Sequence, residues 1–260
     1  MGEESPPGIH WRPACLDRVY IGSHQAVEAL CYPRIAPSLC SRRAAELESL
    51  GVQALCLDAP KPLTMGPVKV LGKGHSGVVL LGVMRGRIVA IKVRRVDSRR
   101  QSLEPEARLQ GMAALAGAAP AVHAFSEDFI VSEAVLGPTL GDILQTTKEK
   151  TSLYKILTEA LDALLALDLA GVLHNEIHRP WRNILYTGEP PNSRALIVDF
   201  DSASEGCGNL AKASSWITRV LGLNADDLRS HIREYKRLCH KDPYSLYNML
   251  LDSIEYALMH

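Results

Sequence analysis

Gly72-Lys73-Gly74-His75-Ser76-Gly77-Val78-Val79, followed one hairpin later by Val89-Ala90-Ile91-Lys92, is the stretch on which the fold turns. Its first half fits G-x-G-x-x-G-x-V. Glycine meets two needs in such a turn: it permits positive φ, and it lets backbone N–H groups come close to phosphate oxygens. Dinucleotide-binding turns share these letters, but they run from a strand through the turn into a helix. Here the turn runs into the valine-rich pattern Val78 to Met84, and Arg85-Gly86 signals a hairpin into Arg87 to Val93. The loop therefore belongs between two strands. In strand geometry Ala90 and Lys92 share a face. Ala90 is small enough for an adenine ring to lie against it, and Lys92 is long enough to reach α- and β-phosphates.

Upstream, residues 1 to about 12 read as a loose tail. Leu16 to Leu50 has a helical pattern broken around Tyr32-Pro33 and Pro37, with Ser38 or Ser41 as the cap of a second helix and Gly51 as its stop. Val52 to Leu57 reads as a short strand, and Asp58 to Pro67 as a proline-rich linker. Downstream, Glu104 to Leu115 is helical and Phe129 to Val135 is a strand ended by Gly137-Pro138. Thr151 to Ala170 is the clearest helix: Leu153, Ile156, Leu157, Ala160, Leu161, Leu164 and Leu165 mark one apolar face, with Thr151 or Ser152 as cap and Gly171 as stop. Asn183 to Tyr186 and Ala195 to Phe200 are short strands about a turn. The remainder, Asn209 to Met259, reads as two or three helices. Strands gathered in one portion and helices in another predict an α+β fold with segregated lobes.

The bulk numbers agree with an ordinary globular chain. In 260 residues, 47% are hydrophobic and 22% charged, which suffices for a buried core. Lys+Arg and Asp+Glu both number 29, so no global field favours nucleic acid or a membrane surface. Lys155, Glu159, Asp162 and Asp168 break the most apolar stretch and exclude a membrane span. Met1 to His10 has no apolar run and does not read as a signal peptide. The six cysteines form no C-x-x-C pair and read as reduced, buried thiols of an intracellular protein. His174 and His178 share helical spacing, but Pro180 makes their segment a loop, which argues against zinc.

The glycine turn and its lysine resemble the protein-kinase superfamily, and further segments follow in that family's order. His174-Asn-Glu176-Ile-His178-Arg-Pro-Trp-Arg-Asn183 resembles the catalytic loop H-R-D-L-x-x-x-N. It departs by carrying Glu176 for the aspartate and by being two residues longer before Asn183. Counting back from Asn183 points to His178 as the base, whereas the lead-in Gly171-Val172-Leu173-His174 points to Glu176, the preferred reading. Ile197-Val198-Asp199-Phe200-Asp201 resembles the D-F-G segment, with Asp201 in place of glycine. The absence of an A-P-E motif and the short remainder resemble the RIO-type minimal kinases. The E-x-x-R-P-x-x-N style of the loop resembles archaeal predicted serine/threonine kinases.

The resemblance implies a two-lobed kinase-like fold, with residues 1–65 as an N-terminal helical extension, 66–137 as the small lobe and 138–260 as a short helical large lobe. The extension either packs on the small lobe or forms a winged helix; nucleic acid is expected at most through it. The implied ligands are ATP and Mg2+, and the implied acceptor is a hydroxyl on a protein or a small molecule. Gly72, Lys73, Gly74, Gly77, Val79, Ala90 and Lys92 would line the nucleotide, with Glu106 (or else Glu104) pairing Lys92. The backbone of Glu133 and Val135 would meet the adenine edge, behind Ser132. Asn183 and Asp199 would hold the metal, and Glu176 would orient the acceptor. Arg179 and Arg182 are candidates for phosphate contacts. The same resemblance implies an archaeal, cytoplasmic serine/threonine-protein kinase. Its alternatives are a small-molecule kinase of the aminoglycoside or choline type, suggested by Asp201, and a weakly active ATP-binding scaffold, suggested by the altered loop.

Overall fold

The computed structural model describes residues 15–59, 63–65, 68–188 and 193–259. The chain divides into two compact units, Met1–Gln101 and Ser102–His260.

The first unit is an antiparallel sheet with two helices. Its elements are β1 (Arg18–Tyr20), α1 (His24–Leu30), α2 (Pro37–Ser49), β2 (Val52–Cys56), β3 (Thr64–Met65), β4 (Val68–Lys69), β5 (Gly72–Lys73), β6 (Gly77–Met84) and β7 (Arg87–Arg94). The strands run in the order β1-β2-β6-β7, with β5 also on β6. Residues of the expected N-terminal extension thus share a sheet with the glycine turn. β6 is rich in valine and leucine and is buried along most of its length, as a central strand should be. Gly82 is required where β2 crosses: a Cβ there would fall 2.4 Å from Ile91 Cδ1 and 2.9 Å from the Ala54 carbonyl. The turn into β7 puts Arg85 at φ 50° and Gly86 at φ 76°, the paired left-handed residues of a tight hairpin.

Three local expectations are corrected here. Arg18–Tyr20 is strand rather than helix, because its edge pairs with β2 and the Asp58 carboxylate accepts from the Leu16 and Asp17 N–H groups at 3.1 and 3.3 Å. Helix α2 begins at Pro37 with Ala36 as N-cap, so Ser38 and Ser41 lie inside it rather than capping it. Proline at the first helical position needs no donor partner, which makes a side-chain cap dispensable. The expected linker is partly structured, since β3 pairs with β4; residues 60–62 and 66–67 lie outside the described residues.

The cysteines are also corrected. All six are paired, as Cys15–Cys56, Cys31–Cys40 and Cys207–Cys239, with Cα separations of 5.1, 5.7 and 6.1 Å. Those separations lie in the range a disulfide spans. The pairing partners are brought together by β1 on β2, by α1 against α2 and by the tertiary fold of the second unit, and none of these proximities follows from residue spacing.

The second unit holds α3 (Glu104–Leu115), β8 (Val122–Phe125), β9 (Phe129–Glu133), α4 (Leu140–Thr146), α5 (Lys150–Leu169), β10 (Val172–Leu173), β11 (Ile184–Thr187), β12 (Arg194–Ile197), β13 (Ser204–Glu205), α6 (Asn209–Leu221), α7 (Arg229–Leu238) and α8 (Tyr244–Met259). Short 3₁₀ turns occupy Pro180–Arg182, Phe200–Ser202 and Ala225–Leu228. The strands form three antiparallel pairs: the hairpins β8–β9 and β11–β12, and the long-range pair β10–β13. Helix α5 is the spine. Its expected apolar face packs on α6, α8 and β12, with Leu157, Ala160, Leu161 and Leu164 fully buried. Its cap is Glu149, whose carboxylate accepts from the Thr151 and Ser152 N–H groups, in place of the expected Thr151 or Ser152. No helix among the described residues is long and apolar enough to cross a membrane.

Candidate active site

In the first unit, the glycine turn closes on itself through Gly74 N–H donating to the Gly77 carbonyl at 2.9 Å. Gly72 lies opposite Val79, and Val79 lies opposite Lys92, so the three share one face of the sheet with Ala90 two residues along. A Cβ on Gly77 would sit 3.1 Å from both Cγ and Cε of Lys92. The lysine stem therefore runs beneath the glycine turn, and only glycine leaves it room. Gly72, Gly77, Val79, Ala90 and Lys92 thus lie together on the sheet.

Lys73 faces elsewhere than a simple phosphate role suggests. Its ammonium lies 4.4 Å from the centroid of the Tyr32 ring, and the Arg95 guanidinium lies 5.3 Å from the same ring. Arg95 also donates to the Gly74 carbonyl at 3.2 Å and is paired with Asp97 at 2.8 Å. The Asp97 carboxyl is held below its usual range, chiefly by that hydrogen bond. Tyr32 and Arg95 thus brace the turn from outside. Sequence reasoning missed both, because Tyr32 lies forty positions upstream and Arg95 reads as an ordinary strand end.

In the second unit, Glu106 lies buried in the first turn of α3. Glu104 instead meets the Arg108 guanidinium at 3.8 Å, one helical turn on. Helix α3 packs against the turn Phe200–Ser202. Ser132 is buried near the end of β9. Glu133 is exposed, its N–H bonded to the Ala121 carbonyl at 2.8 Å, and Val135 follows in the connecting segment. Gly137 presses on β11 so closely that a Cβ would fall 1.6 Å from the Tyr186 carbonyl oxygen.

The catalytic-loop candidates are tied to the D-F-D turn by a ladder of hydrogen bonds. Glu176 Oε1 accepts from Ser202 Oγ at 2.9 Å. Asn175, at φ 56°, donates from Nδ2 to the Ser202 carbonyl at 2.9 Å and to Ser204 Oγ at 3.1 Å. Asparagine tolerates this left-handed backbone better than most residues. Lys212 Nζ reaches Asn175 Oδ1 at 2.9 Å; its ammonium pKa is lowered by burial and then by Lys236. Consecutive turns carry this segment to β11, closed by Arg179 N–H to the Glu176 carbonyl and Asn183 N–H to the Pro180 carbonyl. His178, the competing base, is exposed and its Nδ1 lies 3.2 Å from the Asn175 carbonyl. Arg179 and Arg182 are exposed.

Asn183 and Asp199 lie at the same end of the β11–β12 hairpin: Ile184 is registered with Ile197, and Val198 N–H donates to the Asn183 carbonyl at 2.9 Å. Asp199 is exposed at φ 66°, a left-handed backbone state that aspartate, like asparagine, adopts more readily than most residues. Asparagine and aspartate carry oxygen donors of the kind a hard cation such as Mg2+ takes. Another candidate donor cluster among the described residues, Cys207, Cys239 and His240, contains a disulfide and so lacks thiolates.

His174 is the pivot of this region. It is fully buried, packs edge-on against Phe200 at 5.2 Å, and its Nε2 lies 2.9 Å from the Val198 carbonyl. Its Nδ1 is buried without a hydrogen-bond partner, so the ring is neutral with Nε2 as the donor. Burial lowers its pKa, against smaller opposing pulls from the Val198 carbonyl, Asp199 and Glu176. Below about pH 6.5 the unfolded chain binds a proton here that the folded one resists. Stability from His174 is therefore complete above that pH and lost as pH falls. Denaturation midpoints at pH 5 and 7.5 should differ less in His174→Gln than in the parent chain.

No protein-family model matches the chain, and no curated protein matches it.

Proposed function

We propose that the chain is an ATP-dependent phosphotransferase that moves the γ-phosphoryl group of MgATP to a hydroxyl, in the manner of an atypical serine/threonine protein kinase. The observation that carries this reading is that Asn183 and Asp199 stand at one end of the β11–β12 hairpin, with Asp199 in a left-handed conformation and Glu176 tied to the turn that follows it. Non-glycine residues in the left-handed region cluster at active sites and ligand clamps.

In this reading Lys92, under the glycine turn, binds the α- and β-phosphates, and turn N–H groups meet phosphate oxygens. Asn183 and Asp199 would hold Mg2+, which supplies charge neutralisation at the β- and γ-phosphates. Glu176 orients the acceptor hydroxyl and takes its proton. His174 holds the Val198 carbonyl and so fixes where Asp199 emerges. Catalysis would rest on positioning and electrostatics. Three disulfides suit a cytoplasmic protein only where that compartment tolerates them, as in hyperthermophilic archaea. The archaeal, cytoplasmic reading therefore goes with a hot habitat.

The test is MgATP binding by calorimetry. Lys92→Ala should weaken it about 10- to 100-fold, the loss of one charge-assisted contact of about 1.5–3 kcal/mol. Equal affinity in the two proteins would overturn the reading.

A further inference from the structure

We propose that Ser202 is an internal phosphoacceptor of this chain, modified in cis; this rests on the phosphotransferase reading and names its first substrate. A general base must lie about 2.6–3.2 Å from the hydroxyl whose proton it takes. Ser202 Oγ donates to Glu176 Oε1 at 2.9 Å. The hydroxyl is also fixed in place. Ser202 ends the 3₁₀ turn that begins directly after Asp199, its carbonyl is held by Asn175 Nδ2, and Asn175 is itself held by Lys212. Glu176 is exposed, so this contact is not a by-product of burying the carboxylate.

Ser204 supplies a control within the molecule. It is the more exposed of the two serines, yet its hydroxyl meets Asn175 rather than Glu176. Accessibility alone selects Ser204; the geometry of the base selects Ser202.

The chemistry balances with MgATP as the only co-reactant. Ser202 Oγ attacks the γ-phosphorus and forms the new O–P bond. The bond from that phosphorus to the β,γ-bridging oxygen breaks, and ADP departs with its electron pair. The serine proton passes to the Glu176 carboxylate and then to water. The product is a phosphoserine carrying about −1.5 to −2 charges beside Glu176 and Asp201.

The full chain is incubated with MgATP, digested, and its phosphopeptides mapped by tandem mass spectrometry. One phosphate on Ser202 is expected, accruing at a per-molecule rate that does not change on dilution. It should be absent in Ser202→Ala and fall at least about tenfold in Glu176→Gln. Phosphate on Ser204 or elsewhere with Ser202 unmodified overturns the inference, as does labelling of Ser202 that ignores Glu176→Gln. A chain that turns over MgATP in a Glu176-dependent way yet leaves Ser202 bare also overturns it, with the phosphotransferase reading intact. A chain that neither binds nor turns over MgATP removes both.

Discussion

Glu176→Gln should lower phosphoryl transfer by about 10²- to 10⁴-fold while leaving MgATP affinity near that of the parent chain. Glutamine keeps the length and shape of the side chain and can still accept from Ser202 Oγ, so the loop should hold its conformation. What disappears is the negative charge that takes a proton as the acceptor oxygen attacks. Binding should survive because the nucleotide contacts lie on other residues. Steady-state transfer and calorimetric binding, measured on the same preparation, separate these quantities. If transfer persists in Glu176→Gln and vanishes in His178→Ala, the base is His178. The structure gives His178 a different position, exposed and near the Asn175 carbonyl.

Asp168→Ala should destabilise the protein by about 3–5 kcal/mol, read as a drop in the urea midpoint with an unchanged slope. Asp168 is 4% exposed and accepts five hydrogen bonds. Oδ1 takes Gly208 N–H, Asn209 N–H and Asn209 Nδ2; Oδ2 takes Leu210 N–H and the Tyr235 hydroxyl. Three of these are the otherwise unsatisfied donors at the start of α6, where a negative charge also complements the helix dipole. Burial, then the Asp168 charge, pushes the Tyr235 phenol pKa well up, which keeps it a donor. Alanine would strand these buried donors together, and each costs more unpaired than it gains when paired. The effect reaches the candidate site. Asn209, released from Asp168, also links the Val172 carbonyl to the His174 N–H. Transfer activity should therefore fall further than the stability loss alone explains, which activity measured well below the unfolding midpoint would reveal.

Asp168 also shows what kind of information the sequence withheld. Along the chain it is one of four charges interrupting an apolar helix, and that property correctly argues against a membrane span. Its other role depends on Gly208 and Tyr235, which are 40 and 67 positions away. Ser202 and Tyr32 were invisible for the same reason: serine after an aspartate and tyrosine before a proline are common letters, and only the approach of Glu176 or Lys73 gives them a task. The cysteines were misjudged because the absence of C-x-x-C spacing says nothing about pairing across 41, 9 or 32 residues.

Elements whose causes are local are legible in the order of residues alone. The hairpin at Arg85-Gly86, helix α3 over Glu104–Leu115 and the apolar face of α5 follow from period and turn chemistry alone. Residue order also puts Ala90 and Lys92 on one face, because strand alternation fixes that without a third partner. Long-range folding makes Arg18–Tyr20 an edge strand, bonds the six cysteines, and joins Asp168, His174 and Ser202 in a connected polar scaffold around Glu176. Those outcomes depend on contacts between distant residues, and such contacts leave no periodic trace in the order of amino acids.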